Sequence, residues 1–147
     1  MLYTINTWAV LVAAVVAYLA GWAWYSPILW QKPWMESLGK TDADWGEKAK
    51  KDMPRTIAYG FLTTLAISFS MAVFMEIANV DSFLNALQIG MLVCFGFLVT
   101  TKFSDMIYEY PAPNWGKLAQ QLFLIEAGYQ IVLFGILSSV IWWVTNM

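Results

Sequence analysis

Glu126 is the residue in this chain best placed to do chemistry. It stands in the apolar run Leu122-Phe123-Leu124-Ile125-Glu126-Ala127-Gly128-Tyr129-Gln130. A carboxylate within a lipid-crossing helix costs about 2.5–3.5 kcal/mol near the bilayer centre and less towards its edge. It should therefore face the interior of a bundle, be neutral, or have a partner. Gln130 lies one turn further on the same helix face and Tyr129 is adjacent. Lys102, with its long apolar stem, is the first choice of partner, and Arg55 the second. Together with Asp105, Tyr25 and Ser26 these residues form an expected polar cluster: Tyr25, Ser26, Lys102, Asp105, Glu126, Tyr129 and Gln130. Such a cluster reads either as a solute or proton site or as a structural network that locks helices together.

Other chemistries have less to build on. The chain has no histidine, which excludes His-ligated haem, HExxH zinc chemistry and a Ser-His-Asp triad. Cys94 is its only cysteine and lies in an apolar run, so it reads as a small packed residue. Asp105 and Glu109 are four apart and share a helix face, where paired carboxylates could bind a metal or exchange protons on a lipid or quinone. No third helical acid is in register with them. We therefore expect no catalytic residue, no cofactor and no metal site. A net charge of -2 points away from nucleic acid as a partner.

The elements that must position Glu126 are set by composition. Hydrophobic residues make up 60% of the 147 and charged residues 12%. A soluble domain of that size could not cover so much apolar surface, whereas a bilayer acts as its solvent. Four spans of the ~20 apolar residues that a membrane demands are expected, at about 7–25, 56–78, 83–101 and 118–144. The fold class is thus an all-α integral membrane protein. It is a four-transmembrane-helix bundle in one domain, with a short interfacial or cytoplasmic helical connection at 30–55. The first span has no basic segment before it and reads as a retained signal anchor.

Ala9, Ala13, Ala17 and Gly21 recur every four residues on the first span, a face that lets another helix approach closely. Ser26-Pro27 ends that span. Trp22, Trp24, Tyr25, Trp30 and Trp34 make an aromatic belt at one water–lipid boundary, and Trp142-Trp143 make the opposite one. An in-plane amphipathic helix from about Ile28 to Leu38, closed by Gly39, fits the segment between. Thr41 should then cap a short soluble helix, rich in acids early and lysines late, with Pro54 in the first turn of the second span. Thr63, Thr64, Ser68 and Ser70 should bond their own helix carbonyls. Asn79-Val80-Asp81-Ser82 is a turn in which Asp81 or Ser82 caps the third helix. That helix projects beyond the lipid with Lys102, Asp105 and Glu109. Pro111 and Pro113 stop it, and Asn114 caps the fourth. Glu76, Asn79 and Asp81 make a smaller polar group at the other end, read as a solvated helix end.

Orientation follows from the cations. The first connection holds Lys32, Lys40, Lys48, Lys50, Lys51 and Arg55, and the last holds Lys102 and Lys117. These eight are every Lys and Arg of the chain. The positive-inside rule puts both connections in the cytoplasm and both termini outside.

The stretch Gly21-Trp22-Ala23-Trp24-Tyr25-Ser26-Pro27-Ile28-Leu29-Trp30-Gln31-Lys32-Pro33-Trp34-Met35 resembles the signature of the bacterial membrane family called domain of unknown function 1761. Its pattern is Gly-x-x-Trp-Tyr-Ser-Pro followed by Lys-x-Trp-Met. The run Leu122 to Tyr129 is similar to the family's last helix, where the acidic position is often Asp or Asn. The resemblance spans nearly the whole chain. It implies a four-helix bacterial inner-membrane protein and supplies no activity. The shared Trp-Tyr-Ser-Pro has a physical reading of its own: it breaks a helix, anchors it with rings and turns the chain along the membrane surface.

Two functions are expected ahead of others. One is a homo-oligomeric conduit or transporter for an ion or small solute, motivated by Glu126 and its neighbours; four helices alone leave no wide path. The other is a structural or accessory subunit of a larger membrane complex, motivated by nine Trp, seven Tyr and nine Phe in so short a chain. The expected partners are membrane lipids, further copies of the chain or other membrane subunits. An enzyme acting on a lipid or quinone is a third reading, resting on Asp105 and Glu109 alone.

Overall fold

The computed structural model describes residues 4–109 and 116–147. Among them every regular element is helical. In chain order these are α1 (Thr7–Trp24), α2 (Gln31–Ser37), α3 (Asp42–Ile77), α4 (Phe83–Val93), a π-helical turn (Cys94–Val99), α5 (Thr100–Tyr108) and α6 (Lys117–Thr145). Four stretches are long and apolar enough to cross a membrane: Thr7–Trp24, Lys51–Ile77, Phe83–Tyr108 and Lys117–Thr145. The chain is thus a multi-pass membrane protein by its helices. Four spans joined in sequence put the α1–α3 and α5–α6 connections at one end of the bundle, which is therefore its cation-rich end.

Helix α6 is the hub and touches every other helix, most extensively α1 and α4. Lipid offers no hydrophobic drive for helices to meet, so they associate where small residues let backbones come close. The alanine face of α1 does this. Ala9, Ala13 and Ala17 are fully buried, and Gly21 is buried with them. The core continues through Met71, Cys94, Leu133, Phe134 and Leu137. On α4, Gly90 fits against α6 so tightly that a Cβ there would stand 2.8 Å from Ser138 Oγ and 3.2 Å from the Phe134 carbonyl. Helices α3 and α4 touch far less and leave an apolar groove of about 330 Å³ between α3 and the π turn.

Several helix ends follow their local chemistry. Asn6 caps α1 by accepting from the Ala9 amide, and Ser82, rather than Asp81, caps α4 by accepting from the Asn85 amide. The chain leaves α1 through a turn at Ser26 and re-enters a short helix, α2. Gly39 at φ 63° then takes the left-handed conformation that glycine tolerates.

The second connection departs from expectation. The charged segment after Thr41 is not a separate soluble helix. It is the start of α3, which runs unbroken through Pro54. Proline removes one backbone donor and so frees the carbonyl four residues earlier. Residues 51–59 are exposed all round, so water can serve that carbonyl and the helix continues. Ser68 also departs from its expected role. Thr63, Thr64 and Ser70 do bond carbonyls of their own helix. Ser68, buried, instead donates across to the Val10 carbonyl of α1 at 2.9 Å. Pro111, Pro113 and Asn114 lie outside the described residues, and Gly116 holds the cap position of α6.

The π turn has a packing reason. Ala86, Gly90, Cys94, Lys102 and Met106 are four apart, with one step of eight between Cys94 and Lys102. In a straight α-helix each step of four winds about 40° round the axis, so this series would turn away from α6. The wider π turn takes back part of that drift and returns Lys102 and Met106 to the α6 side.

Candidate functional site

The site lies where α5, α6 and α2 meet at the cation-rich end. The Lys102 ammonium stands 3.0 Å from Glu126 Oε2 and 3.4 Å from Asp105 Oδ2. Lys102 and Asp105 are three apart on one helix, so their contact is local. The contact with Glu126 bridges α5 and α6. Glu126 therefore meets the demand made of an acid in a lipid-crossing helix: it has a partner. Both side chains remain partly accessible, at 32% and 22%, so the pair is not sealed in the core.

The second oxygen of Glu126 is engaged from α2. Trp34 Nε1 donates to Glu126 Oε1 at 3.5 Å, at the long limit of a hydrogen bond. The Lys40 ammonium lies 5.5 Å from the centre of the Trp34 ring, a cation–π contact. One turn towards the α6 N-terminus, Gln121 donates to the Pro33 carbonyl at 2.8 Å and to Ser37 Oγ at 3.0 Å. Ser37 in turn donates to the same carbonyl. Further into the membrane, Trp24 Nε1 donates to the Ile125 carbonyl at 3.2 Å. Tyr25 packs edge-on against Tyr129, with ring centres 5.2 Å apart, and against Trp34 at 5.3 Å. Gly21 is what allows this stack: a Cβ there would stand 2.6 Å from Tyr129 Oη.

The Trp-Tyr-Ser-Pro stretch and the Glu126 stretch, about a hundred residues apart, thus form one unit. Residues 8–142 match a family model described as protein of unknown function (DUF1761). The chain belongs to that family. No curated protein and no solved structure matches it. In this DUF1761 chain those two stretches are in direct contact through Trp24, Tyr25 and Trp34.

Of the seven cluster residues expected, Lys102, Asp105 and Glu126 form the ionic core, and Tyr25 and Tyr129 pack beside it. Ser26 does not join: it sits at the end of α1, where its hydroxyl at 2.7 Å and its amide at 3.2 Å both donate to the Ala23 carbonyl. Gln130 is one turn deeper, and its Oε1 is buried with no partner among the described residues. Arg55 is exposed on α3 and the Glu126 bridge goes to Lys102.

The tryptophans divide. Trp22, Trp30 and Trp143 are exposed, as boundary anchors should be. Trp24 and Trp34 are turned inward to α6 by their indole hydrogen bonds, and Trp142 packs on Phe83 at 5.7 Å. These contacts between helices come in addition to the boundary role expected of the three. Sequence reasoning also missed Gln121, Ser37 and Lys40. Gln121 carried a signal: it precedes Glu126 by five residues on the same helix.

An open groove of about 780 Å³ runs along the ionic core between α2, α5 and α6. Met106, Leu122 and Phe123 supply apolar wall, and Glu126, Lys102 and Asp105 supply its polar side. Among the described residues no three acidic or cysteine side chains converge to hold a metal ion. At the opposite end a smaller groove of about 350 Å³ is bordered by Glu76, Asn79 and Trp142. There Asp81 is occupied by Asn85 Nδ2.

Proposed function

We propose that this protein is a homo-oligomeric conduit or transporter for an ion or small solute, with Glu126 and Lys102 at the mouth of the route. The observation that carries this reading is an ion pair bordering an open groove at the membrane boundary, when the same pair could have been buried by packing. A purely structural lock gains nothing from a groove of ligand size beside it. The middle of the bundle is filled by Met71, Leu133, Phe134 and Leu137, so the route runs between copies or opens by helix movement. Following the positive-inside rule, the groove faces the cytoplasm and both termini lie outside; a bacterial inner membrane fits that threading. Purified protein in liposomes should move an ion or small solute, and Glu126→Gln should change the rate. Equal rates for variant and wild type would remove Glu126 from the mechanism.

A second reading, an accessory subunit of a larger membrane complex, is favoured by the apolar groove between α3 and the π turn, where a partner's helix could lie. Gentle extraction followed by native mass spectrometry separates the two. Migration solely with copies of itself supports the conduit, and stable unrelated partners support the subunit.

A further inference from the structure

We infer that the groove beside Glu126 binds an organic cation with an apolar body, such as a quaternary or lipophilic onium ion. This deepens the conduit reading by naming its substrate class.

Charge is the first argument. Four carboxylates, Glu36, Asp105, Glu109 and Glu126, border the groove against two ammonium groups, Lys102 and Lys117. The lining described is therefore net acidic, although it lies at the end of the molecule that holds all of the chain's cations. The form of the lining is the second argument. Asp105 and Glu126 meet at Lys102, but among the described residues no third carboxylate joins them, and Met106, Leu122 and Phe123 add apolar lining. A small hydrated metal ion needs converging oxygens. A large, weakly hydrated cation suits dispersed charge over an apolar and aromatic wall.

The chain also supplies its own stand-ins for such a ligand. The Lys102 ammonium sits between Asp105 and Glu126, and the Lys40 ammonium sits over the Trp34 ring whose indole N–H reaches Glu126. A cation therefore already occupies the carboxylate side of the groove, and a second sits on the Trp34 ring behind Glu126, outside the groove's lining. Partly exposed ion pairs are weak enough to exchange. Asp105 lies on the same helix as Lys102, so Lys102 keeps that partner when an incoming cation takes Glu126. The exchange breaks the ionic link between α5 and α6, leaves their Phe103–Phe123 contact in place, and leaves no charge unpaired.

The experiment uses the full chain in detergent. Tetraphenylphosphonium is titrated while tryptophan fluorescence and calorimetry report binding, and tetraphenylborate serves as the anion of matching shape. Saturable binding of the phosphonium is expected, with much weaker binding of the borate. Glu126→Gln should weaken the phosphonium by about tenfold or more. Lys102→Met, which removes the internal competitor, should tighten it several-fold, a gain that a merely structural role for the pair would not produce. Equal binding of both probes would overturn the inference. So would phosphonium binding indifferent to Glu126→Gln or weakened by Lys102→Met. Should Glu126→Gln fail to fold, the two-probe comparison and the Lys102 variant decide. A Glu126-dependent flux of an inorganic ion without phosphonium binding would overturn the organic cation and leave the conduit standing. Glu126-dependent phosphonium binding in a protein that moves no solute would do the reverse.

Discussion

At mid-membrane, α6 meets its neighbours through small residues and hydroxyls: Ala9, Ala13 and Ala17 on α1, and Gly90 on α4 against Ser138. A few turns away, at the cation-rich end, the same α6 is held by indoles, an amide and an ion pair: Trp24, Trp34, Gln121 and Lys102–Glu126. The first contact leaves no space, while the second borders an open groove of about 780 Å³. The contrast teaches which part is built to stay and which can exchange partners. Close packing has one solution. A partly hydrated polar contact has several of nearly equal energy, because water or a ligand can replace either partner.

The comparison can be broken most directly at Glu126. Glu126→Gln should remove most solute movement in liposomes while shifting thermal stability in detergent by less than about 1 kcal/mol. A large loss of stability would make the ionic end as structural as the middle. Gly90→Ala is the converse. Its Cβ meets the Phe134 backbone carbonyl, which has little freedom to yield. A destabilisation of about 2 kcal/mol is expected from thermal unfolding, with flux per folded molecule unchanged. Lys102→Met should cost about 1 kcal/mol, and the cost should shrink as salt rises and screens the pair in wild type as well. The smallest effect sharpens the picture of the middle. Ser68→Ala removes the bond to the Val10 carbonyl and should cost about 0.6 kcal/mol, the usual size for an interhelical hydrogen bond in lipid; unfolding curves of the pair of proteins measure it.

Much of the frame was legible in the residues. Ala9, Ala13, Ala17 and Gly21 announced a packing face because only small side chains at that spacing serve one in lipid. Glu126 announced a partner because an apolar run makes an isolated acid costly, and Lys102 was its nearest cation by depth. The break at Ser26-Pro27 and the left-handed Gly39 were local backbone chemistry. Pro54 misled because its effect depends on whether water reaches the freed carbonyl, which no local pattern reports. The interhelical contacts of the tryptophans were hidden for a related reason. Amphipathic rings suit a lipid boundary and a polar interhelical contact equally well, so Trp24 and Trp22 look alike until their neighbours are known. The π turn left a faint trace, steps of four and eight through Ala86, Gly90, Cys94, Lys102 and Met106, which a 3.6-residue helix cannot keep on one side.

By itself, the order of residues determined that four helices cross a membrane, that all the cations gather at one end, and that Glu126 needs company. These follow from solvation, which each segment feels alone. Only the tertiary structure decided that Trp34, Lys40, Gln121 and Ser37 join that company, that Ser26 and Arg55 do not, and that a groove stays open beside the pair. Those outcomes depend on the angle at which α2 returns to α6 and on the winding of the π turn. Both are set by packing between segments distant in the chain, where no single stretch holds the information.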